Sequence, residues 1–209
     1  MIRAKEALER LREGNRRFVA GIQSRETLAS EARRTKVAIE QEPFAVILGC
    51  SDSRVPLEII FDQGLGDLFV IRVAGNIVAP SQVGSVEFAA AYARTRLVVV
   101  LGHSNCGAIL ATLDQLGRPS EAQSPNLRSI VDRVRPSVEP LLGTDLAKDR
   151  KALVHEAVRS NIRVSSNHLR HGSALLEQLA QTDGLVVVGA EYSLETGMVD
   201  FFDGVPAGF

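Results

Sequence analysis

The stretch Phe44-Ala45-Val46-Ile47-Leu48-Gly49-Cys50-Ser51-Asp52-Ser53-Arg54 decides how this chain folds, because an apolar run ends abruptly in a run of reactive side chains. A second stretch, Leu97-Val98-Val99-Val100-Leu101-Gly102-His103-Ser104-Asn105-Cys106, repeats the arrangement. Short β-branched runs bounded by glycine are typical of buried strands in a parallel sheet. Open α/β sheets bind their ligands at the carboxyl ends of such strands. The sequence therefore predicts that the two polar stretches meet at one edge of a sheet.

Cys50, His103 and Cys106 are the candidate metal ligands. Two thiolates and one imidazole suit Zn²⁺, and three protein ligands leave the fourth position that is typical of catalytic zinc. A disulfide and two unrelated buried thiols are the alternatives. Both cysteines follow predicted strands, and one lies three residues after a histidine, so the pattern favours metal binding over either alternative.

Asp52 and Arg54 are two residues apart and can face the same side of an extended turn. One interpretation is a loop salt bridge of modest energy. The functional interpretation is that Arg54 keeps Asp52 ionised and directs it at the fourth ligand of the metal. Asp52 could also bind the metal itself and close the site.

Composition limits the class of protein. The chain has 209 residues, a net charge of −1 and 45% hydrophobic residues, which is ordinary for a globular protein. There is no basic field that would indicate nucleic acid or an anionic membrane, and no apolar run approaches the ~18 residues of a membrane span. The first residues are charged and amphipathic, so a cytoplasmic protein is predicted, although a processed exported form would look the same.

The predicted fold class is α/β, with a mainly parallel central sheet flanked by helices, an antiparallel edge strand and an N-terminal helical arm. One domain spans residues 1–209. The expected helices are 4–19 with a candidate break at Gly14-Asn15, 28–40, 57–61, 83–94 capped by Ser81, one beginning near 105, 148–171 and one around 175–179. Further strands are expected at 68–73 and 185–190, a hairpin at 192–202, and short helices and loops at 115–146. The first two helices are weakly apolar and must pack on the body or on another subunit.

Together, Cys50-Ser-Asp-Ser-Arg54 and Gly102-His-Ser-Asn-Cys-Gly107 resemble the signature of the β-class carbonic anhydrases, and the resemblance covers nearly the whole chain. It implies reversible hydration of CO₂ to bicarbonate and a proton through zinc-bound hydroxide. In that family Cys50, His103 and Cys106 would hold the zinc ion. Asp52 and Arg54 match the catalytic pair position by position.

The same resemblance implies substrate-binding residues and a partner. Gln41, Phe69 and Gly107 match pocket residues of the plant-like subgroup, while Phe88 stands where that subgroup often has tyrosine. The family builds its pockets between subunits, which implies a homodimer or a higher even oligomer with residues 1–40 packed on the partner subunit.

Other functions remain open at this point. The same fold and metal could hydrolyse a CO₂-like substrate such as carbon disulfide. A non-catalytic zinc protein with Asp52 as permanent fourth ligand is a second alternative, although the complete Asp52–Arg54 pair argues against it. A flavodoxin-like nucleotide binder is disfavoured because no glycine-rich phosphate loop follows the first strand.

Overall fold

A five-stranded sheet lies at the centre of the computed structural model, which describes residues 2–23, 30–117 and 124–209. The strands are β1 Ala45–Gly49, β2 Leu68–Arg72, β3 Leu97–His103, β4 Val186–Tyr192 and β5 Val199–Asp203, in the order β2-β1-β3-β4-β5. The first four are parallel, and β5 pairs antiparallel with β4 at one edge. Gly49 of β1 lies opposite Leu101 of β3, so the two strands end at the same edge. The predicted mainly parallel sheet with an antiparallel edge strand is confirmed.

Helices cover both faces of this sheet. In the described residues they are α1 Ala4–Val19, α2 Glu31–Val37, α3 Leu57–Ile60, α4 Pro80–Ala91, α5 Gly107–Gly117, α6 Pro125–Val138, α7 Arg150–His171 and α8 Ala174–Thr182. Short 3₁₀ helices occupy Ala74–Asn76, Glu139–Gly143 and Asp145–Lys148. Within the described ranges, no helix has both the length and the apolar character needed to cross a membrane.

The core has two layers because successive strand residues point to opposite faces. Val46 and Leu48 of β1 pack on the side of α4 to α8. Ala45 and Ile47 pack on the side of α1 and α3. Both faces of the inner strands are thus covered, which explains why those strands are apolar at every position. The covered strands hold the carboxyl edge of the sheet rigidly.

Helix α1 is continuous, so the predicted break at Gly14-Asn15 is wrong. These two residues instead make close contacts with other segments of the chain. A Cβ atom at Gly14 would overlap the carbonyl oxygen of Phe61. Asn15 Nδ2 donates to the carbonyl oxygens of Ile60 at 3.2 Å and Gly197 at 2.9 Å. The apolar stripe of α1 packs on the sheet of its own chain, where Leu8 is fully buried.

Two predictions about other helices differ from the structure. The second helix is shorter than 28–40: it spans Glu31–Val37, and residues 24–29 lie outside the described residues. Helix α4 begins at Pro80 and its N-cap is Ala79, so the predicted cap at Ser81 is wrong. Proline suits the first helical position because it has no N–H to satisfy and its φ is already helical.

The segment 115–146 is more regular than the predicted short helices and loops, although its residues 118–123 lie outside the description. It contains α6, a helix of 14 residues with Pro125 in the first turn and Pro136 near the end. Val131, Val134 and Val138 are buried at helical spacing. This apolar stripe stabilises the helix despite the proline content, because tertiary packing outweighs local propensity.

Candidate metal centre

Three candidate metal ligands meet at the carboxyl edge of the sheet. Cys50 directly follows β1, His103 is the last residue of β3, and Cys106 directly precedes α5. The two sulfur atoms lie 3.9 Å apart. One ligand atom from each of the three residues can be chosen so that all lie within 4.8 Å of one another. Tetrahedral zinc with Zn–S bonds of about 2.3 Å would hold two sulfur atoms roughly 3.8 Å apart, so the spacing fits a zinc ion.

The burial and the hydrogen bonding of these side chains also fit a set of metal ligands. His103 Nε2 is buried and has no hydrogen-bond partner among the described residues. The other ring nitrogen, Nδ1, lies 3.0 Å from the carbonyl oxygen of Ser104, which fixes the ring orientation. Both cysteines are free thiols in a buried position. A buried, unpaired ring nitrogen beside two free thiols is the arrangement that a soft or borderline cation satisfies.

The two thiols differ in acidity because they share one hydrogen bond. The contact between the two sulfur atoms, in which either thiol can be the donor, lowers the pKa of Cys50 in spite of its burial. The same contact and burial raise the pKa of Cys106 well above its usual range. A cation bound between the two sulfur atoms would favour loss of the proton from both thiols.

Asp52 and Arg54 form a bidentate ion pair at the border of this group. Arg54 Nε donates to Asp52 Oδ1 at 2.9 Å, and Nη2 donates to Oδ2 at 2.8 Å. These hydrogen bonds hold the pKa of the Asp52 carboxyl well below its usual range, so Asp52 is ionised at neutral pH. Asp52 Oδ2 lies 3.7 Å from His103 Nε2. The carboxylate thus borders the space between the three candidate ligands while Arg54 occupies both of its oxygens.

Arg72 braces the loop that carries these residues. Its Nε donates to the carbonyl oxygen of Cys50 at 3.1 Å, and Nη2 donates to the carbonyl oxygen of Asp52 at 2.7 Å. The contacts of Arg72 with the loop that carries Cys50 and Asp52 were not predicted from the sequence. An arginine that closes an apolar strand, opposite Gly49 in the neighbouring strand, is the signal that could have found it.

Gly75 is a second contact that sequence patterns missed. Its backbone N–H donates to Cys50 Sγ at 3.4 Å from the 3₁₀ turn after β2. The signal was a glycine–asparagine pair three residues after the end of β2, since such a pair is typical of a turn with positive φ.

The predicted pocket residues fall into two groups. Gly107 is exposed at the start of α5, next to Cys106. Gln41 is exposed and precedes the amino end of β1, whereas Cys50 follows its carboxyl end. Phe69 lies opposite Val46, three residues before the Gly49–Arg72 pair that adjoins Cys50. At about 3.3 Å per residue this places Phe69 roughly 10 Å from the metal-binding edge.

Phe88 lies with Phe69 rather than with the metal ligands. The ring centroids of Phe69 and Phe88 are 6.2 Å apart, and the Phe88 ring is 5.0 Å from that of Tyr92. Within one chain, the structure brings Asp52, Arg54 and Gly107 to the three candidate ligands and leaves the aromatic pocket residues in a separate cluster.

Comparison with known proteins agrees with this site. Residues 45–199 match the sequence model of the carbonic anhydrase family. A carbonic anhydrase of Mycolicibacterium smegmatis is 40% identical over 194 residues, which cover 93% of this chain and 91% of that protein. The crystal structure of a β-carbonic anhydrase of Aspergillus fumigatus aligns with a TM-score of 0.73 at 27% identity, over 82% of this chain and 81% of that one. A tetrameric β-carbonic anhydrase of Sordaria macrospora aligns with a TM-score of 0.69 at 26% identity, over 80% and 84% of the two chains. The chain belongs to the β-class carbonic anhydrase family.

Proposed function

We propose that this chain catalyses the reversible hydration of CO₂ to bicarbonate and a proton at a zinc ion held by Cys50, His103 and Cys106. The observation that carries the proposal is the buried Cys–His–Cys group with an ion-paired carboxylate at its border. Thiolate and imidazole donors at tetrahedral spacing favour zinc over the harder cations Mg²⁺ and Ca²⁺. Bound there, zinc would supply a Lewis acid that lowers the pKa of water.

Asp52 and Arg54 orient and activate water in this proposal. The ionised Asp52 carboxylate accepts a hydrogen bond from water beside the ligands, and this contact directs an oxygen lone pair toward CO₂. Arg54 holds both carboxylate oxygens and so opposes rotation of Asp52 toward His103. Loss of Arg54 would free Asp52 to become the fourth ligand and close the site.

The N–H of Gly107, in the first turn of α5, lacks an intrahelical acceptor and can donate to an anionic product.

The substrate pocket requires a second subunit in this proposal. Gln41, Phe69 and Phe88 lie away from the metal ligands of their own chain, so they would line the pocket of the partner. Phe88 of α4 is 49% exposed and Tyr92, the C-cap residue of that helix, is 78% exposed, which is unusual for two large aromatic rings in contact. Helix α2 has no buried residue, so it also presents its side chains outward. A homodimer, or a tetramer like that of the Sordaria macrospora enzyme, would cover these surfaces.

Domain organisation and location follow from the same proposal. Residues 1–209 form one catalytic domain whose first 40 residues extend over the partner subunit, with α1 also packing on its own sheet. The protein would work in the cytoplasm, where the reducing environment keeps the free thiols Cys50 and Cys106 available for metal.

Metal analysis combined with stopped-flow CO₂ hydration tests the proposed activity. We expect about one zinc per chain and hydration activity that disappears in Cys106→Ser together with the metal. Stoichiometric zinc without CO₂ hydration would contradict the activity and favour another CO₂-like substrate or a non-catalytic zinc protein. Absence of zinc in protein purified and refilled under reducing conditions would contradict the metal site.

Sedimentation velocity tests the subunit arrangement. Tyr92→Asp places a charge on the aromatic surface of α4 and should shift the protein toward monomers with lower activity. Leu127→Asp is the matched control, because Leu127 is 58% exposed on α6 and lies outside the aromatic cluster. A fully active monomer at assay concentration would contradict the shared pocket.

A further inference from the structure

The turn that contacts Cys50 has an unusual backbone. Gly75 has φ of 71° and the next residue, Asn76, has φ of 42°, so both lie in the left-handed region. Two consecutive residues in this region persist where the surrounding structure holds them. A side chain at Gly75 would also meet the Cβ atom of Ala108 at 3.0 Å. The position thus suits glycine and keeps the backbone close to the Cys50 sulfur.

Asn161 is the side chain that holds this turn. It lies on α7, is 2% exposed, and its Nδ2 donates to the carbonyl oxygen of Gly75 at 2.8 Å. Ser137 Oγ lies 3.4 Å from Asn161 Oδ1 on the other side of the amide. Asn161 is separated from Gly75 by 86 positions in the chain, so the contact connects the longest helix to the metal-binding edge.

We propose that Asn161 is a positioning residue for the metal centre, acting through Gly75 on the sulfur of Cys50. This inference rests on the zinc site proposed above. The bond from Asn161 fixes the Gly75 turn, and the turn directs the Gly75 N–H at Cys50 Sγ. An N–H donor fixes the position of a ligating sulfur and withdraws charge from it. Such outer partners typically change metal affinity by about 10- to 100-fold.

Asn161→Asp is the first test, because aspartate keeps the shape of the side chain but replaces the donating amide with an oxygen that repels the Gly75 carbonyl. We expect zinc affinity, measured by competition with a chelator, to fall by about 10- to 100-fold. The cobalt–thiolate charge-transfer band of the Co²⁺-loaded protein should shift, because the Cys50 sulfur loses its donor. A change in overall stability alone would not shift this band.

Ser166→Ala is the matched control. Ser166 lies on the same helix, is fully buried, and its Oγ has no hydrogen-bond partner among the described residues. This variant should keep the zinc affinity and the cobalt band of the parent protein. Asn161→Ser replaces Asn161→Asp as the deciding variant if the buried carboxylate prevents folding, and the same loss of affinity is expected.

A double-mutant cycle with Gly75→Ala tests the connection itself. If Asn161 acts through Gly75, the two losses of zinc affinity are smaller in combination than their sum. Additive losses, or Asn161 variants that behave like Ser166→Ala, would overturn the positioning role while the zinc site stands. A parent protein that binds no zinc would overturn both the site and this inference.

Discussion

Replacing Arg72 by alanine should disturb catalysis without removing any proposed metal ligand. The guanidinium donates to the carbonyl oxygens of Cys50 and Asp52, at 3.1 Å and 2.7 Å. It therefore braces the loop at one ligand and at the proposed catalytic carboxylate. Without this brace, Asp52 keeps its ion pair with Arg54, but the whole loop can move relative to β2.

The expected loss of stability can be worked out from these two contacts. A hydrogen bond contributes about 0.5–1.5 kcal/mol net, and water partly replaces the exposed one, so Arg72→Ala should cost about 2 kcal/mol. For chains of 150–250 residues this corresponds to a fall in Tm of about 4–8 °C. Because a misplacement of about 1 Å can cost about 100-fold in rate, kcat should fall by roughly 10- to 100-fold with a smaller change in KM.

Arg170→Ala is the control for this prediction, measured by thermal unfolding and stopped-flow CO₂ hydration. Arg170 also braces a backbone carbonyl, since its Nε and Nη2 donate to Val187 O at 3.1 Å and 2.9 Å. It lies on α7 and makes no contact with the Cys50–Arg54 loop among the described residues. Its removal should cost similar stability and leave kcat unchanged. If Arg72→Ala lost stability but retained the parent kcat, the brace would be structural only and the reasoning would be refuted.

Three further substitutions test other parts of the structure. Cys106→Ala should abolish zinc binding and lower Tm, because metal binding is coupled to folding; full zinc occupancy by elemental analysis would contradict its role as ligand. Arg54→Lys should retain less CO₂ hydration activity than the parent protein but more than Arg54→Ala, since lysine keeps the charge but cannot hold both oxygens of Asp52; parent activity in Arg54→Lys would contradict the bidentate role. Leu8→Ala should lower the free energy of unfolding by about 2–5 kcal/mol in denaturant titration, because Leu8 is fully buried. Leu127→Ala, at a site that is 58% exposed, should cost less than about 0.5 kcal/mol.

The sheet and the candidate ligands could be predicted because their signals are local. A buried parallel strand is apolar at every position, so β1 and β3 stand out in the sequence. Ligands at the ends of such strands need no further information, since parallel neighbours end at the same edge. Helices α1 and α7 were likewise predicted closely from apolar spacing, and Gly172 marks the end of α7.

The contacts that support the site could not be predicted because they depend on long-range packing. Asn161 contacts Gly75 across 86 positions, and Arg72 reaches Asp52 across 20. Neither side chain belongs to a pattern with a period. The Gly14-Asn15 pair shows the opposite error: residues that locally favour a helix break are retained because Gly14 lies against Phe61. Tertiary contact decides such positions, and local propensity does not.

The charge of the ligand set explains why these supporting contacts matter. Two thiolates neutralise a divalent cation, so a metal in this site would acidify water less than one bound by neutral histidines alone. Backbone N–H groups near both sulfur atoms would reduce the negative charge that each thiolate gives to the cation. The Gly75 N–H donates to Cys50, and the first backbone N–H groups of α5, at Ala108 and Ile109, face Cys106. Each donor draws electron density from a sulfur and so would leave more positive charge on a cation bound there. In the proposed mechanism the ionised Asp52, held in place by Arg54, would accept a hydrogen bond from water. In the proposed mechanism the backbone donors would tune the sulfur ligands, while the Asp52 carboxylate would orient the reacting water.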